Sequence, residues 1–205
     1  MKNLLVPFRL AIIAGLLLFS VGCEDPSNPN WEADSNNPDF LHRTLKQITD
    51  VIVHDIFSPP VASRIYAYST IAAYEALVPA HDDYNSLAGQ LTGLAKGPQP
   101  KPDSSYCYPL AATKAMIVVG KQLIFSEDKM DAFEEDLMKE FKAINMPKDV
   151  YNRSLAYGES VAKHILAWAD KDNYKQTRTF PKFTINDNPS RWKPTPPDYM
   201  DAIEH

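Results

Sequence analysis

Between residues 39 and 172 apolar residues recur at spacings of three and four, and no run alternates for the length of a strand. Five helices follow from this pattern. "DFLHRTLKQITDVIVHDIF" (39–57) places Leu41, Leu45, Ile48, Ile52 and Ile56 on one face, and Asp39, after Pro38, is set to cap its start. "PLAATKAMIVVGKQLIF" (109–125) has Pro109 in its first turn. Leu110, Ala112, Met116, Val119 and Leu123 give it apolar surface, and Lys114 and Lys121 mark a wet side. "SEDKMDAFEEDLMKEFKAI" (126–144) starts at a capping Ser126, with Glu127 and Asp128 at the positive end of the helix dipole. Its stripe is Met130, Phe133, Leu137, Phe141 and Ile144. "PKDVYNRSLAYGESVAKHILAWADKD" (147–172) aligns Val150, Ser154, Tyr157, Val161, Ile165 and Trp168. The short turn between these last two segments predicts antiparallel neighbours.

The remaining helix, "SPPVASRIYAYSTIAAYEAL" (58–77), differs from the others. Ser58 is a natural N-cap, and Pro59 and Pro60 fall where a helix loses nothing by lacking an N–H. Over about five turns only Arg64 and Glu75 are charged, so this helix has no charged face. It predicts a central rod that needs cover on every side, more than four neighbouring stripes supply. An exposed apolar patch beyond a few hundred Å² is the expected consequence. Residues 79–108 form a long connection broken by Gly89, Gly93, Gly97 and four prolines, with room for one short helix near 83–94. The segment after 172 is irregular and proline-rich. Its aromatic residues, Phe180, Phe183, Trp192 and Tyr199, predict a stretch laid on a surface that buries Trp192 and Tyr199. The fold class is therefore all-α: a bundle of about five helices with a long mid-chain loop and an irregular C-terminal segment.

The first residues change the picture of where this bundle resides. Residues 1–22 have Lys2 and Arg9 ahead of an apolar run from Leu10 to Phe19 and end in small residues, the layout of a secretory signal peptide. "SVGC" resembles the lipobox of bacterial lipoproteins, with Ser20 where Leu is usual, and makes Cys23 the expected lipid attachment site. Residues 23–38, rich in Asn, Pro, Ser and Asp, read as a flexible tether. The helical domain is then 39–205, exported across the inner membrane and held by its lipid in the periplasm or at the cell surface. Cys107 is the one cysteine left, so the mature chain has no internal disulfide.

Charge and motifs exclude several classes. There are 21 basic and 26 acidic residues, interspersed and without a basic stripe, which argues against nucleic acid as a partner. His42, His54, His81, His164 and His205 show no metal spacing, and no phosphate loop, dinucleotide turn or serine elbow occurs. His54, beside Asp55 at a helix end, reads as a capping or packing residue. Cys107, between Tyr106 and Tyr108 in a polar loop, has no basic neighbour to make it a nucleophile. Arg64 and Glu75, eleven positions apart, point to roughly one side of their helix. Either they bond to other helices and loop carbonyls, or they form an outer shell around an anion site, with Arg64 orienting a group that touches the anion.

"VIVHDIFSPPVASRIYAYSTIAAYEAL" together with "RWKPTPPDYMDAI" resembles the N-terminal half of secreted bacterial relatives of vanadium-dependent haloperoxidases. The superfamily also holds type-2 phosphatidic acid phosphatases and bacterial acid phosphatases. The resemblance implies an all-α bundle and, for the complete family protein, a site for phosphate or vanadate. That site is built from a Lys, an Arg-Pro, a Ser-Gly-His and a later Arg and His, whose cationic donors stabilise a five-coordinate anion. This chain has no Arg-Pro and no Gly-His dipeptide. No catalytic, cofactor-binding or metal-ligating residue is carried over, and the chain is expected to be inactive alone. Its expected partners are a membrane, through the lipid, and the missing C-terminal half or another subunit. The rival reading is a glycan-capturing surface lipoprotein with the aromatic residues of 180–199 as its platform.

Overall fold

A computed structural model of the chain describes residues 27–181 and 184–199. The proposed signal peptide, Cys23, Phe183 and residues 200–205 lie outside the described residues. Within them the protein is helical, with one isolated bridge, Ala88 to Leu91, and no strand. The helices are α1 (Trp31–Ser35), α2 (Asp39–His54), α3 (Pro59–Leu77), α4 (Tyr108–Gln122), α5 (Glu127–Ala143), α6 (Lys148–Ala169) and α7 (Tyr174–Thr177). Five are long, as the periodicity predicts. None is long and apolar enough to cross a membrane.

The hub is α4 rather than α3. Leu110, Ala111, Ala112, Thr113, Ala115, Met116, Ile117, Val119 and Gly120 are all buried, so α4 is apolar around most of its circumference. It packs chiefly against α3 and α6 and also meets α2 and α5. Side-chain size decides this. Alanines at 111, 112 and 115 and glycines at 120 and 158 let backbones approach closely. A Cβ at Gly158 would lie 2.3 Å from the Ala111 carbonyl oxygen. The α3 rod buries Val61, Ile65, Tyr68, Ser69, Ala72, Ala73 and Ala76, while Pro59, Pro60, Ser63 and Ala67 stay exposed. It therefore has one wet edge, and tyrosines supply amphipathic cover where charges are missing.

Lys114 is not on a wet side. Its ammonium donates to Glu134 at 2.5 Å and lies 3.5 Å from Glu159, joining α5 and α6 across α4. Those two helices, though linked by a short turn, are not principal neighbours, because α5 packs on α2 and α4. The turn contains Asn145 with φ 56. The carbonyls of Ile144 and Asn145 accept from the side chain and backbone N–H of Asn28, at 3.1 and 2.8 Å. Residues 27–38, the described part of the expected tether, thus lie on the bundle, with Trp31 against the core.

Helix ends show the other departures. Pro38, not Asp39, occupies the N-cap of α2; Asp39 is helical, and its N–H donates to the Asn37 side chain at 3.0 Å. At the far end α2 stops at His54. Phe57 N–H donates to Ile52 O at 3.1 Å, and Ile56 N–H to Val53 O at 3.2 Å. This hydrogen-bond pair closes a left-handed C-terminus, and Ile56 takes the position where glycine is usual, with φ 56. A β-branched residue there costs about 1–2 kcal/mol. Ile56 is accordingly not part of the buried face, which consists of Phe40, Thr44, Ile48, Val51 and Ile52.

Asp55, one residue earlier, holds the start of α5. Its carboxylate accepts from Phe125 N–H at 2.9 Å, Ser126 N–H at 3.0 Å and Ser126 Oγ at 2.5 Å. Burial works to raise this carboxyl. The Ser126 hydroxyl and the two amides outweigh burial and hold it below the usual carboxylate range. A depressed carboxyl contributes stability above its unfolded pKa and loses it as pH falls through the folded one. Asp55→Ala is expected to cost about 1–2 kcal/mol at neutral pH and to remove part of the acid sensitivity below about pH 4. Urea titrations at pH 7 and pH 3 measure both effects.

Candidate functional site

Arg64 and Glu75 leave the same helix but reach different structures. Arg64 Nε donates to Asp172 Oδ2 at 2.6 Å, and Nη2 reaches the Ala169 carbonyl at 3.5 Å. The guanidinium also lies over the rings of Tyr174 and Tyr68, 4.4 and 5.1 Å from their centroids. Tyr68 donates its hydroxyl to the same Asp172 oxygen at 3.0 Å, and Tyr174 N–H donates to the other at 2.9 Å. Burial works to raise the Asp172 carboxyl, but its bonds from Arg64, Tyr174 and Tyr68 hold it below its ordinary value. The Tyr68 phenol is pushed up to about 12 by burial and by the Asp172 carboxylate it faces. Arg64 is thus the centre of a clamp that ties the end of α6 to α3.

Glu75 organises the start of the long connection. Its carboxylate accepts from Ser86 Oγ and Leu87 N–H, each at 2.7 Å. Tyr74 adds a bond from its hydroxyl to Asn85 O at 2.9 Å. Further on, Trp168 Nε1 donates to Thr92 O at 3.1 Å, His164 Nε2 meets Ala95 O at 2.9 Å, and Arg153 donates to Ser105 O at 2.9 and 3.0 Å. The connection is laid along α6 without forming the short helix expected near 83–94. Gly89 and Gly93, with φ 78 and 77, turn the chain there instead. Arg64 thus bonds to the chain at the end of α6, and Glu75 to the long connection.

At the end of this connection Tyr106 and Cys107 are buried, not in a polar loop. Tyr106, Tyr108 and Tyr157 form an aromatic group with centroids 5.5–6.4 Å apart. Beside it a pocket of about 330 Å³ is lined by Trp31, Ser35, His81, Tyr106, Cys107 and Tyr108 among others. Burial pushes the Cys107 thiol up, which removes the thiolate a nucleophile needs.

The fit to an oxyanion is decided by the cations. Arg43, Arg64, Lys114, Lys121 and Arg153 are the described cations that are not exposed. Each is bound to a carboxylate: Arg43 to Asp39 and Glu140, Arg64 to Asp172, Lys114 to Glu134, Lys121 to Asp131, and Arg153 to Asp149. A tetrahedral or bipyramidal anion needs convergent donors that are not already neutralised. These residues do not fit vanadate or phosphate. Among the described residues no group of three His, Cys, Asp or Glu side chains could hold a metal ion.

The aromatic C-terminal segment does not bury its rings. Phe180, Trp192 and Tyr199 are 58, 46 and 62% exposed. The expectation that Trp192 and Tyr199 are buried therefore fails. The clamp partners Asp172 and Tyr174, and the α6 anchors Trp168 and His164, were not legible as such. The one available signal was the stop of apolar periodicity at Trp168, just before a run of charges.

No protein-family description and no curated protein matches the chain. Among solved structures it is similar to the crystal structure of the first bacterial vanadium-dependent iodoperoxidase, at 47% identity with a TM-score of 0.75. The match covers 88% of this chain and 41% of that one, so the chain spans about two fifths of that relative's length.

Proposed function

We propose, for a chain that belongs to the vanadium-dependent haloperoxidase superfamily, that these residues are its N-terminal helical part and serve as scaffold for an anion-binding half supplied by other polypeptide. The observation that carries this is the commitment of every described half-buried Lys and Arg to a carboxylate, in a chain with 47% identity to an iodoperoxidase. In the complete protein the anion would be vanadate, which supplies activation of peroxide, or phosphate in a phosphatase relative. In this part, Arg64, Asp172 and Glu75 hold helices and loop in place and touch no reacting atom. Lipidation at Cys23 after export would anchor the assembly to a membrane.

The purified chain, given orthovanadate, iodide and hydrogen peroxide, is expected to oxidise no iodide above the protein-free rate. It is likewise expected to release no nitrophenol from its phosphate ester. Vanadate-dependent turnover at an enzyme's rate, on the order of 1–10³ per second, would overturn the reading. The exposure of Phe180, Trp192 and Tyr199 favours a second reading, a glycan-binding surface lipoprotein. Titration of tryptophan fluorescence with oligosaccharides separates the two, and a flat response is expected.

A further inference from the structure

Residues 27–38 have the composition of a flexible tether, yet they are held. Asn28 donates its N–H to Asn145 O at 2.8 Å, and its side-chain amide to Ile144 O at 3.1 Å and to Asp34 at 2.7 Å. Its side-chain carbonyl accepts from Asn30 N–H at 2.9 Å. Both polar groups of the Asn28 side chain are thus used, and the chain is pinned to the turn where α5 ends and α6 begins. Trp31 then packs on the core, and Ser35, the last residue of α1, is 1% exposed. The pinning shortens the reach of whatever is attached at Cys23. Were residues 23–38 a free tether, the bundle could stand about 50 Å from that point. With Asn28 fixed, five residues are left, which span at most about 18 Å at full extension.

We infer that the face around the α5–α6 turn is the one this protein sets against a membrane, and that its partner there is a phospholipid headgroup surface. The inference rests on the reading of Cys23 as the lipid-bearing residue, and adds which side of the bundle meets the bilayer and how closely. α6 runs about 33 Å from this turn to Ala169, so the same tether leaves the far end of that helix free to point into water. The residues at the turn suit the partner. Phe141, Lys142, Asn145, Met146, Lys148 and Tyr151 border a single recess of about 350 Å³, and Asn145 is the residue whose carbonyl holds Asn28. Phe141 and Met146 are its buried apolar floor, while Lys142, Asn145 and Lys148 are exposed. Ammonium groups attract phosphodiesters, and a tyrosine ring suits the boundary between headgroups and acyl chains.

The test uses the full chain, expressed in bacteria that mature lipoproteins and reconstituted on vesicles of phosphatidylethanolamine and phosphatidylglycerol whose headgroups carry a short-range quencher. A fluorophore is attached through Ala143→Cys at the turn or through Lys171→Cys past the far end of α6; Cys107 is buried and stays unlabelled. Each labelled chain is also made with an insert of about 20 Gly/Ser residues after Cys23, which adds about 25 Å of average reach. Circular dichroism establishes that every form folds. Quenching at position 143 is expected to exceed that at 171 by about fivefold, and to fall by about threefold in the form with the insert. Equal quenching at the two positions, or no change on lengthening, would overturn the membrane face and leave lipidation standing. A purified N-terminal peptide without the mass of an acyl chain would overturn the lipid reading and the face with it.

Discussion

Gly158→Ala is expected to destabilise the protein by about 2–4 kcal/mol, a fall of about 5–10 °C in melting temperature. Alanine ordinarily improves a helix by about 1 kcal/mol over glycine, so the sign is informative. The added methyl would stand 2.3 Å from the Ala111 carbonyl oxygen and 3.1 Å from two more atoms of that residue's backbone. Backbone cannot rotate away, so α4 and α6 must part by roughly 1 Å, and dispersion is forfeited along their whole contact. Gly120→Ala provides the comparison. Its methyl would meet the tip of Ile48 at 2.8 Å, an end that has another rotamer to take. Less than half the loss is expected there. Thermal unfolding of the two variants side by side decides whether α4 is the hub.

Asp172→Ala is the second large effect. It leaves Arg64, whose side chain is 16% exposed, facing a carbonyl and two rings without a countercharge. Breaking a fully buried pair costs about 3–5 kcal/mol; with Asp172 itself 24% exposed, about 2 kcal/mol is expected here. Arg64→Met should cost less, since it leaves a carboxylate that water can reach. The double variant should fall short of the sum of the two. The sign with pH is fixed by the depressed Asp172 carboxyl. Its contribution is present above the unfolded value, near 4, and is lost as pH falls through the lower folded value. Native protein should therefore weaken below about pH 4, and the variant less so. At the alkaline end the Tyr68 phenol, pushed up to about 12 by burial first and by Asp172 second, should titrate lower once Asp172 is gone while burial still holds it above its ordinary value. Ultraviolet titration of the phenolate reads this directly.

What could be read ahead of the structure was whatever a segment determines by itself. Pro59 and Pro60 begin α3 as their chemistry demands, with Ser58 at the N-cap position though without a side-chain cap bond, and Met130, Leu137 and Phe141 are buried along α5 as their spacing demands. Errors arise where a distant partner decides. Lys114 looked solvated because Glu134 and Glu159 are invisible in its own helix. Ile56 continued an apolar period, but the chain had already turned left-handed. Residues 83–94 have the length of a helix but are captured by Tyr74, Glu75 and Trp168. The choice of α3 over α4 as central rod came from counting charges. What actually ranks the two is closeness of approach, set by glycine and alanine against backbone. For the site, Arg64 and Glu75 both have partners, as charges in an oily helix require. Which partners they take depends on how α6 ends.

The Arg64 clamp grips the chain beyond the last turn of α6, at Asp172, and so ties residues 173–178 to α3. Any polypeptide continuing from there starts from an origin held against α3. Such tethering raises the effective concentration of a covalently joined partner to roughly the millimolar range, so even a modest apolar contact suffices to keep it engaged.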